Sequence, residues 1–230
     1  MRFEDLNWMD VESYLEQDDR VILITGACEQ HGYLSLLTDV RIPQALADAA
    51  AQRAGVIVAP PIPIGVSPFF DAYPGTISVR LSTFLSYVED VVRDLYRQGF
   101  GGILVLNGHG GNAPAKVTLQ ELTNEIDNLR VSWHSWWESD AVSAVADEHG
   151  LTIEHASWLE AFPFTRVAEL PTGGKERIER SALVRDANSW RLDLGDGVFG
   201  GPYQADEIIM DQLFEVAVDE IVTALERLKS

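Results

Sequence analysis

Short runs of apolar residues alternate with longer segments of helical periodicity from the start of the chain to about residue 135. Each run is short enough for a buried strand, and the four runs are Val21 to Thr25, Val56 to Ala59, Gly102 to Leu106 and Val131 to Trp136. Strands that alternate with helices are typical of repeated βαβ units around a parallel sheet. The pattern therefore predicts an α/β fold.

Between the strands, apolar residues recur every three or four positions, which predicts amphipathic helices. These helices are expected from Asp10 over Leu15, from Thr38 or Asp39 to Gly55, from Ser82 to Gly99, from about Ala113 to Asn128, over 139–149, and from about Gln204 to Leu228. Residues 60–76 hold five prolines and three aromatic residues, so we expect an irregular surface loop with a functional role. Neither a linker nor a repeat interrupts residues 1–230, which predicts a single domain.

Composition and charge narrow the class of protein. Of the 230 residues 46% are apolar, enough for a large core, and the formal charge is −19 because 36 acidic residues face 17 basic ones. Such a charge repels phosphate backbones and anionic lipids, so neither nucleic acid nor membrane is expected as a partner. The single cysteine and the missing apolar leader segment at the N-terminus predict a cytoplasmic protein.

Two loops that follow predicted strands carry candidate chemistry. The loop GACEQHGYLSLLTD offers Glu29, His31 and Asp39, a set that suits a cation such as Zn²⁺ or Mn²⁺, although a polar loop with Asp39 as a helix cap is an equal interpretation. The loop NGHGGN places His109 among glycines, which let a ligand approach the backbone. A strand-to-helix turn capped by Asn112 explains these glycines but not the histidine. In parallel sheets both loops lie where ligands bind.

A third segment, HASWLE, adds His155 and Glu160, although alone it is read more readily as a surface helix. The three segments together supply three carboxylates and three imidazoles, enough for two cations that share one carboxylate and activate a water for hydrolysis. Signatures of nucleotide-binding loops and serine hydrolases are missing from the sequence. The sequence therefore favours a metal-dependent hydrolase.

The order of these segments resembles the creatininase (creatinine amidohydrolase) family, whose pattern is approximately E-x-H-G-x-H-L-P-x-x-T-D, then N-G-H-G-G-N, then H-A-G-x-x-E-T-S. The resemblance implies a three-layer α/β sandwich with a mainly parallel central sheet, two divalent metal ions and hydrolysis of a C–N bond in a small cyclic or linear amide. It also implies a homo-oligomer, usually a hexamer. Mixed imidazole and carboxylate ligands suit Zn, Mn or Fe equally.

The resemblance assigns roles residue by residue. Glu29, His109 and Asp39 would hold one ion, and His31, Asp39 and Glu160 the other, so that Asp39 bridges. His155 corresponds to the histidine that assists proton transfer to the leaving nitrogen, with Glu160 as its catalytic neighbour.

Departures from the pattern concern the substrate. The segment between His31 and Asp39 is one residue shorter than in the family, Phe70 stands where a histidine is usual, and Gly111 replaces the glutamate typical of creatinine hydrolases. A small amide or formamide is therefore expected rather than creatinine. The aromatic residues predicted to contact a planar substrate are Tyr33, Phe69, Phe70, Tyr73 and Trp136.

Two alternatives remain. The chain could be a degenerate family member that acts as a small-molecule binder or a scaffold, or a metal-dependent isomerase that uses the same ligands. Oligomerisation has separate support, because Phe69, Phe70, Tyr73 and the segment WHSWW would be more aromatic surface than a monomer usually exposes.

Overall fold

The computed structural model describes residues 1–179 and 183–229. Its central sheet has four parallel strands in the order β2-β1-β3-β4. The strands are β1 (Arg20–Thr25), β2 (Ile57–Val58), β3 (Gly102–Asn107) and β4 (Arg130–Ser135). The α/β prediction is thereby confirmed, and the predicted strand ends differ from these by at most one residue.

Helices cover both faces of the sheet and make the fold a three-layer sandwich. They are α1 (Trp8–Leu15), α2 (Thr38–Ala54), α3 (Leu81–Gln98), α4 (Ala115–Glu125), α5 (Asp140–Glu148), α6 (Ala187–Leu194) and α7 (Glu207–Glu226). In β1, Ile22 and Ile24 pack with α2, α5 and α7, whereas Val21 and Leu23 pack with α3 and α4. No helix within residues 1–179 or 183–229 has the length and apolar character needed to cross a membrane.

Helix starts differ from the sequence predictions in an informative way. Helix α1 begins at Trp8 because Asn7 caps it, and Asp10 closes the capping box instead of beginning the helix. Neither Thr38 nor Asp39 caps α2: the hydroxyl of Thr38 donates to the carbonyl of Ser35, and the Asp39 carboxylate is directed away to two histidines. Ser82 lies in the first turn of α3 without capping it. Because the carboxylate of Asp39 does not cap the helix, both of its oxygens are available to other groups.

The chain after residue 173 is more structured than the sequence predicts. The short antiparallel strands β5 (Gly174–Lys175) and β6 (Gly201–Pro202) pair, and α6 lies between them. This helix packs on residues 68–70 of the proline-rich loop, where Trp190 stacks on Phe69 with 4.3 Å between ring centroids. Because the pattern of DLGDGVFGGP is dominated by glycines, the sequence does not reveal this segment as a unit.

The aromatic residues invoked for oligomerisation are not a surface patch. Phe70 is buried, and Phe69 and Tyr73 pack beside it in a cluster with Trp190 and Phe199. Trp136 is 1% exposed and belongs to the core. The premise of exposed aromatic rings is therefore wrong for these residues, and oligomerisation stays a prediction.

Candidate metal centre

The centre lies at the carboxyl ends of β1 and β3, which are neighbours in the sheet. Thr25 and Asn107 are the last residues of these strands and are paired in register, and the Thr25 hydroxyl donates to the Asn107 side chain at 3.1 Å. The Asn107 amide in turn donates to the carbonyl of His109 at 2.8 Å. Hydrogen bonds between the strand ends therefore fix the backbone of His109 relative to the loop that carries Glu29 and His31.

Two glycines let the start of α2 reach the strand ends. A Cβ atom at Gly26 would lie 2.4 Å from the carbonyl oxygen of Asp39, and one at Gly108 would lie 2.0 Å from the same oxygen. No side chain fits at such distances, so only glycine allows Asp39 to sit between the two loops. The glycines that flank the motifs are thus explained by packing of backbone on backbone.

Asp39 is the central residue of the site. Its Oδ1 lies 2.9 Å from Nε2 of His31, and its Oδ2 lies 2.8 Å from Nδ1 of His109. Glu160 and Glu29 approach from either side, with Oε1 of Glu160 3.6 Å from Nε2 of His31 and Oε2 of Glu29 3.6 Å from Nε2 of His109. The five side chains form one continuous cluster around a single carboxylate.

The side chains of this cluster fit a metal. Glu29 Oε2, His31 Nε2 and Asp39 Oδ2 are buried and have no hydrogen-bond partner. Each oxygen of Asp39 lies within 3 Å of a histidine nitrogen, and Oε2 of Glu29 lies 3.6 Å from Nε2 of His109. Atoms that are this close but not aligned for hydrogen bonding are directed at a common point. Buried polar atoms without partners are costly, and a cation would satisfy them.

Two donor sets share Asp39. Glu29, Asp39 and His109 form one set and His31, Asp39 and Glu160 the other, with the ligand atoms of each set within 4.8 Å of one another. A third set consists of Glu29, His31 and His155. Imidazole and carboxylate donors suit borderline divalent cations.

Hydrogen bonds to the backbone select which histidine nitrogen is available. Nδ1 of His31 donates to the carbonyl of Glu29 at 3.1 Å, which leaves Nε2 directed at Asp39. Nε2 of His109 donates to the carbonyl of Val66 at 2.9 Å, which leaves Nδ1 directed at Asp39. This pattern of an outer N–H bonded to a carbonyl is usual for histidines that bind metals.

The titratable side chains of the cluster shift one another's pKa values. Burial lowers the pKa of His109, but the carboxylates of Glu29 and Asp39 outweigh it and raise the pKa to about 9. His31 behaves likewise beside Asp39 and Glu160, and its pKa lies well above the usual range. Burial raises the pKa of Glu29 to about 7, whereas the two imidazoles overcome burial at Asp39 and lower its pKa. A metal has to displace the protons on both histidines.

The segment HASWLE completes the site as a turn followed by a short 3-10 helix (Trp158–Glu160) whose Trp158 and Leu159 are buried, and not as a surface helix. Ala156 has φ of 58°, and its N–H donates to Oε2 of Glu160 at 2.6 Å, which orients Oε1 toward His31. His155 stacks on Phe70 with centroids 4.7 Å apart and lies 4.5 Å from the ring of His31. Burial, followed by the charge of His31, lowers the pKa of His155 to about 4. The ring is therefore neutral.

A cavity of about 670 Å³ opens onto the cluster. Its described walls are mostly apolar and are formed by residues that include Val66, Pro68, Phe69, Phe70, Trp137, Ile153, Leu159 and Phe199, together with Glu138 and Glu154. This volume suits a small organic molecule.

The structure separates the predicted substrate contacts into two groups. Phe69 and Phe70 line the cavity, as does Gly111. Trp136 does not, because it is buried in the core, and the neighbouring Trp137 occupies the wall instead. Tyr33 packs on Tyr203, and Tyr73 lies behind Phe70, so neither forms the wall of the cavity.

The cavity wall includes further residues that the sequence did not single out as substrate contacts, and Glu154 and Phe199 are two of them. Glu154 directly precedes His155 and is 7% exposed, and its Oε1 lies 2.5 Å from Nε of Arg177. Adjacency to His155 was the one signal that could have indicated Glu154. Phe199 lies in a glycine-rich segment that carries no periodic signal.

Comparison with known proteins finds relatives that match most of the chain. A family model described as creatininase, creatinine amidohydrolase, matches residues 4–225. A creatinine amidohydrolase of Pseudomonas putida is 29% identical over 184 residues, which cover 69% of this chain and 71% of the relative. A mycofactocin precursor peptide peptidase of Mycobacterium ulcerans is 26% identical over 218 residues, which cover 90% of this chain and 84% of the relative.

Among solved structures, a mutant creatininase described as the Zn-Zn type superposes with a TM-score of 0.82. The superposition covers 99% of this chain and 98% of that one, at 23% sequence identity. At this identity the likeness concerns the fold, which extends over the whole of both chains.

Proposed function

Because the chain belongs to the creatininase family, we propose that it is an amidohydrolase that uses two divalent metal ions. The observation that carries this proposal is the position of Asp39, whose two oxygens face separate histidines within two overlapping donor sets. A carboxylate shared by two ions is the usual device that holds a pair of metals about 3.5–4 Å apart.

The chain supplies a complete ligand set for each ion. Glu29, Asp39 and His109 would hold the first, and His31, Asp39 and Glu160 the second. Ions bound there would polarise the amide carbonyl and lower the pKa of a water, which is the chemistry that amide hydrolysis requires. Zn²⁺, Mn²⁺ and Fe²⁺ all suit these ligands.

His155 is the residue best placed to serve the leaving nitrogen. Its Nδ1 lies 3.8 Å from Oε1 of Glu29, so this edge of the ring faces the metal cluster. The ring lines the cavity and has Phe70 on one face, which excludes water from that side. A proton held at Nδ1 would be within reach of a nitrogen that departs from a substrate bound over the cluster.

The walls favour a small amide with an apolar body. Phe69, Phe70, Trp137 and Phe199 form an aromatic surface that suits a flat ring or an apolar chain. Gly111 stands where creatinine hydrolases carry a glutamate, and a Cβ atom there would lie 2.0 Å from the carbonyl oxygen of Val66. The backbone therefore excludes a side chain at this position, and we propose a small amide or formamide rather than creatinine.

A substrate screen tests the proposal. Zinc- or manganese-loaded protein would be incubated with creatinine, formylamino-pyrimidines, short acyl amides and short peptides, and released formate, amine and creatine would be measured. We expect hydrolysis of a small amide that stops when a chelator removes the metals and returns when they are restored. Metal analysis should find up to two ions per chain.

The alternatives give different results in the same screen. An isomerase would convert a substrate without release of amine or formate, and a binding protein would take up ligand without turnover. Robust hydrolysis of creatinine would overturn the preference for another amide. Binding of one ion or none under saturating metal would contradict the two-metal centre.

A further inference from the structure

The side chain of Gln30 lies between two metal ligands in sequence but points away from them, toward His155. It is 5% exposed, and its amide makes three contacts. The oxygen Oε1 accepts from the N–H of Gly32 at 3.0 Å, and the nitrogen Nε2 donates to the carbonyl of Gly197 at 3.0 Å. The same Nε2 lies 3.1 Å from Nε2 of His155.

The two backbone contacts fix the orientation of this amide. A flipped amide would place its NH2 group against the N–H of Gly32 and its oxygen against the carbonyl of Gly197, so both hydrogen bonds would become repulsive contacts. In the observed orientation, one hydrogen of the amide nitrogen binds Gly197 and the other points at His155. Nε2 of His155 must then accept a hydrogen bond.

A neutral imidazole that accepts at one nitrogen carries its proton on the other. The carbonyl oxygen of Gln30 lies 3.3 Å from Nε2 of His155 and could accept a proton there, but that proton would collide with the amide hydrogen that already faces the nitrogen. The neutral ring therefore has its proton on Nδ1, the atom that faces Glu29 and the metal cluster.

From these contacts we infer that Gln30 is a positioning residue, which sets the tautomer of His155 and holds its Nδ1–H toward the substrate. This inference rests on the proposed function, since His155 is the residue that serves the leaving nitrogen. Gln30 itself touches no reacting atom and acts only through the ring of His155.

The amide of Gln30 can lie against the backbone of Gly197 because this residue has no side chain. This glycine has φ of +91°, and a Cβ atom on it would lie 1.8 Å from Oε1 of Gln30. The loop that contains it is held by Lys175, whose Nζ donates to the carbonyls of Leu194 and Val198 at 2.5 and 2.7 Å. Substitution at Gly197 should therefore disturb Gln30 without any direct contact with a metal ligand.

Nitrogen-15 NMR of the zinc-loaded protein tests the tautomer without any substrate. The chain has five histidines, so the spectrum is simple, and the signals of His155 can be assigned by their loss in His155→Gln. We expect a protonated Nδ1 and a bare Nε2 in the parent protein. We expect exchange between tautomers in Gln30→Met, and a proton moved to Nε2 in Gln30→Glu, whose carboxylate can only accept.

Kinetics test the consequence. In Gln30→Met, kcat should fall about 10- to 100-fold while KM changes less than about threefold, because proton transfer by a positioned side chain contributes about 100-fold or more. Gly197→Ala should reproduce this split. Gly195→Ala is the matched control, since Gly195 lies in the same loop with φ of +60° and an added Cβ would meet nothing within 4 Å.

The outcomes separate the inference from the proposed function. If the parent spectrum shows a protonated Nε2 on His155, or if Gln30→Met leaves both tautomer and kcat unchanged, the inference is wrong even when amides are hydrolysed. If Gln30→Met does not fold or does not bind zinc, the tautomer of His155 and kcat are measured in Gly197→Ala instead. If kcat falls as much in Gly195→Ala as in Gly197→Ala, Gln30 has only a structural role and the inference is wrong. If the tautomer is as inferred but no amide is hydrolysed, only the proposed function fails.

Discussion

Two regions meet at the cavity, and they are built differently. The floor, which is Glu29, His31, Asp39 and His109, lies in the loops after the paired strands β1 and β3 and in the first turn of α2. The cover, residues 173–179 and 183–203, contains the short strands β5 and β6 and the two-turn helix α6, and side-chain contacts anchor it over the site. Backbone hydrogen bonds in the sheet position the floor, whereas the cover depends on Lys175 and on an aromatic cluster.

This difference suggests that the two regions contribute to different steps, metal binding and turnover. Metal affinity should be a property of the floor and of Glu160, because all of the proposed ligand atoms lie outside the cover. Turnover should depend on the cover as well, since Gly197 contacts Gln30 and Phe199 packs against the ring of His155. Substitutions in the two regions should therefore change different measured quantities.

The largest effect is expected from Asp39→Asn, which breaks the floor at its shared ligand. Asparagine replaces one of the two carboxylate oxygens by NH2, so one donor set loses its ligand atom and both sets lose the negative charge. Both ions should be weakened or lost, and activity should fall at least about 1,000-fold because several kcal/mol of metal-derived stabilisation is lost. Metal analysis and kcat/KM measure this. The control is Asp48→Asn, on the same helix but paired with Arg2 at the surface. Two tightly bound ions in Asp39→Asn would disprove the bridging role.

The sequence predicts the floor better than the cover. Each floor residue could be identified because a strand of buried residues is recognisable by its composition, and the motif residues come directly after it. The tight approach of Asp39 to Gly26 and Gly108 was not predictable, because it depends on how α2 packs across two strands.

The wall and the cover were harder to predict for a physical reason. Strand β4 ends at Ser135, so Trp136 and Trp137 lie in the following turn, and their directions depend on the turn and not on strand alternation. The prediction of Trp136 as a wall residue therefore missed by one position. In the cover, Lys175 binds partners about twenty residues away, and such contacts leave no local pattern.

The second prediction concerns how the zinc affinity of the floor depends on pH. Since the pKa of His109 is about 9 and that of His31 is also raised, metal must displace protons below that range. Apparent zinc affinity should rise as pH increases from about 6.5 to about 9, by about tenfold per pH unit for each proton displaced. Competition with a chelator at several pH values measures this rise. An affinity independent of pH would contradict the charged state of the two histidines.

The stability of the metal-free protein should fall as pH rises, whereas zinc affinity should increase. The pKa of His109 is higher in the folded chain than its usual value of 6.5, so its contribution to stability is complete below 6.5 and is lost as pH rises through about 9. Thermal unfolding of metal-free and zinc-loaded protein over this range should therefore give trends of opposite sign. Parallel trends would show that the metal does not bind at these histidines.

The third prediction concerns a substitution that weakens the contacts of the cover. Lys175→Met removes a donor to the carbonyls of Leu194 and Val198 and leaves the carboxylate of Asp196 without its ammonium partner. The free energy of unfolding should fall by about 1–3 kcal/mol. The metal content should stay that of the parent protein while kcat/KM falls. Lys229→Met is the control, because Lys229 is exposed and pairs with Glu226 at the surface, far from the cover in sequence. Loss of metal from Lys175→Met would show that the two regions are not independent.

The smallest effect is expected where the two regions touch. Phe70 stacks on His155 and also contacts Phe199 of the cover, and Phe70→Leu keeps an apolar side chain while removing the ring. A stacked pair contributes about 0.5–1.5 kcal/mol beyond its buried area, so kcat should fall about 2- to 10-fold while both ions stay bound. Phe164→Leu is the matched control, because Phe164 stacks on Phe162 and is absent from the cavity walls. An unchanged kcat in Phe70→Leu would mean that the ring of Phe70 is not needed to hold His155, and the influence of the cover would then pass through Gly197 and Phe199.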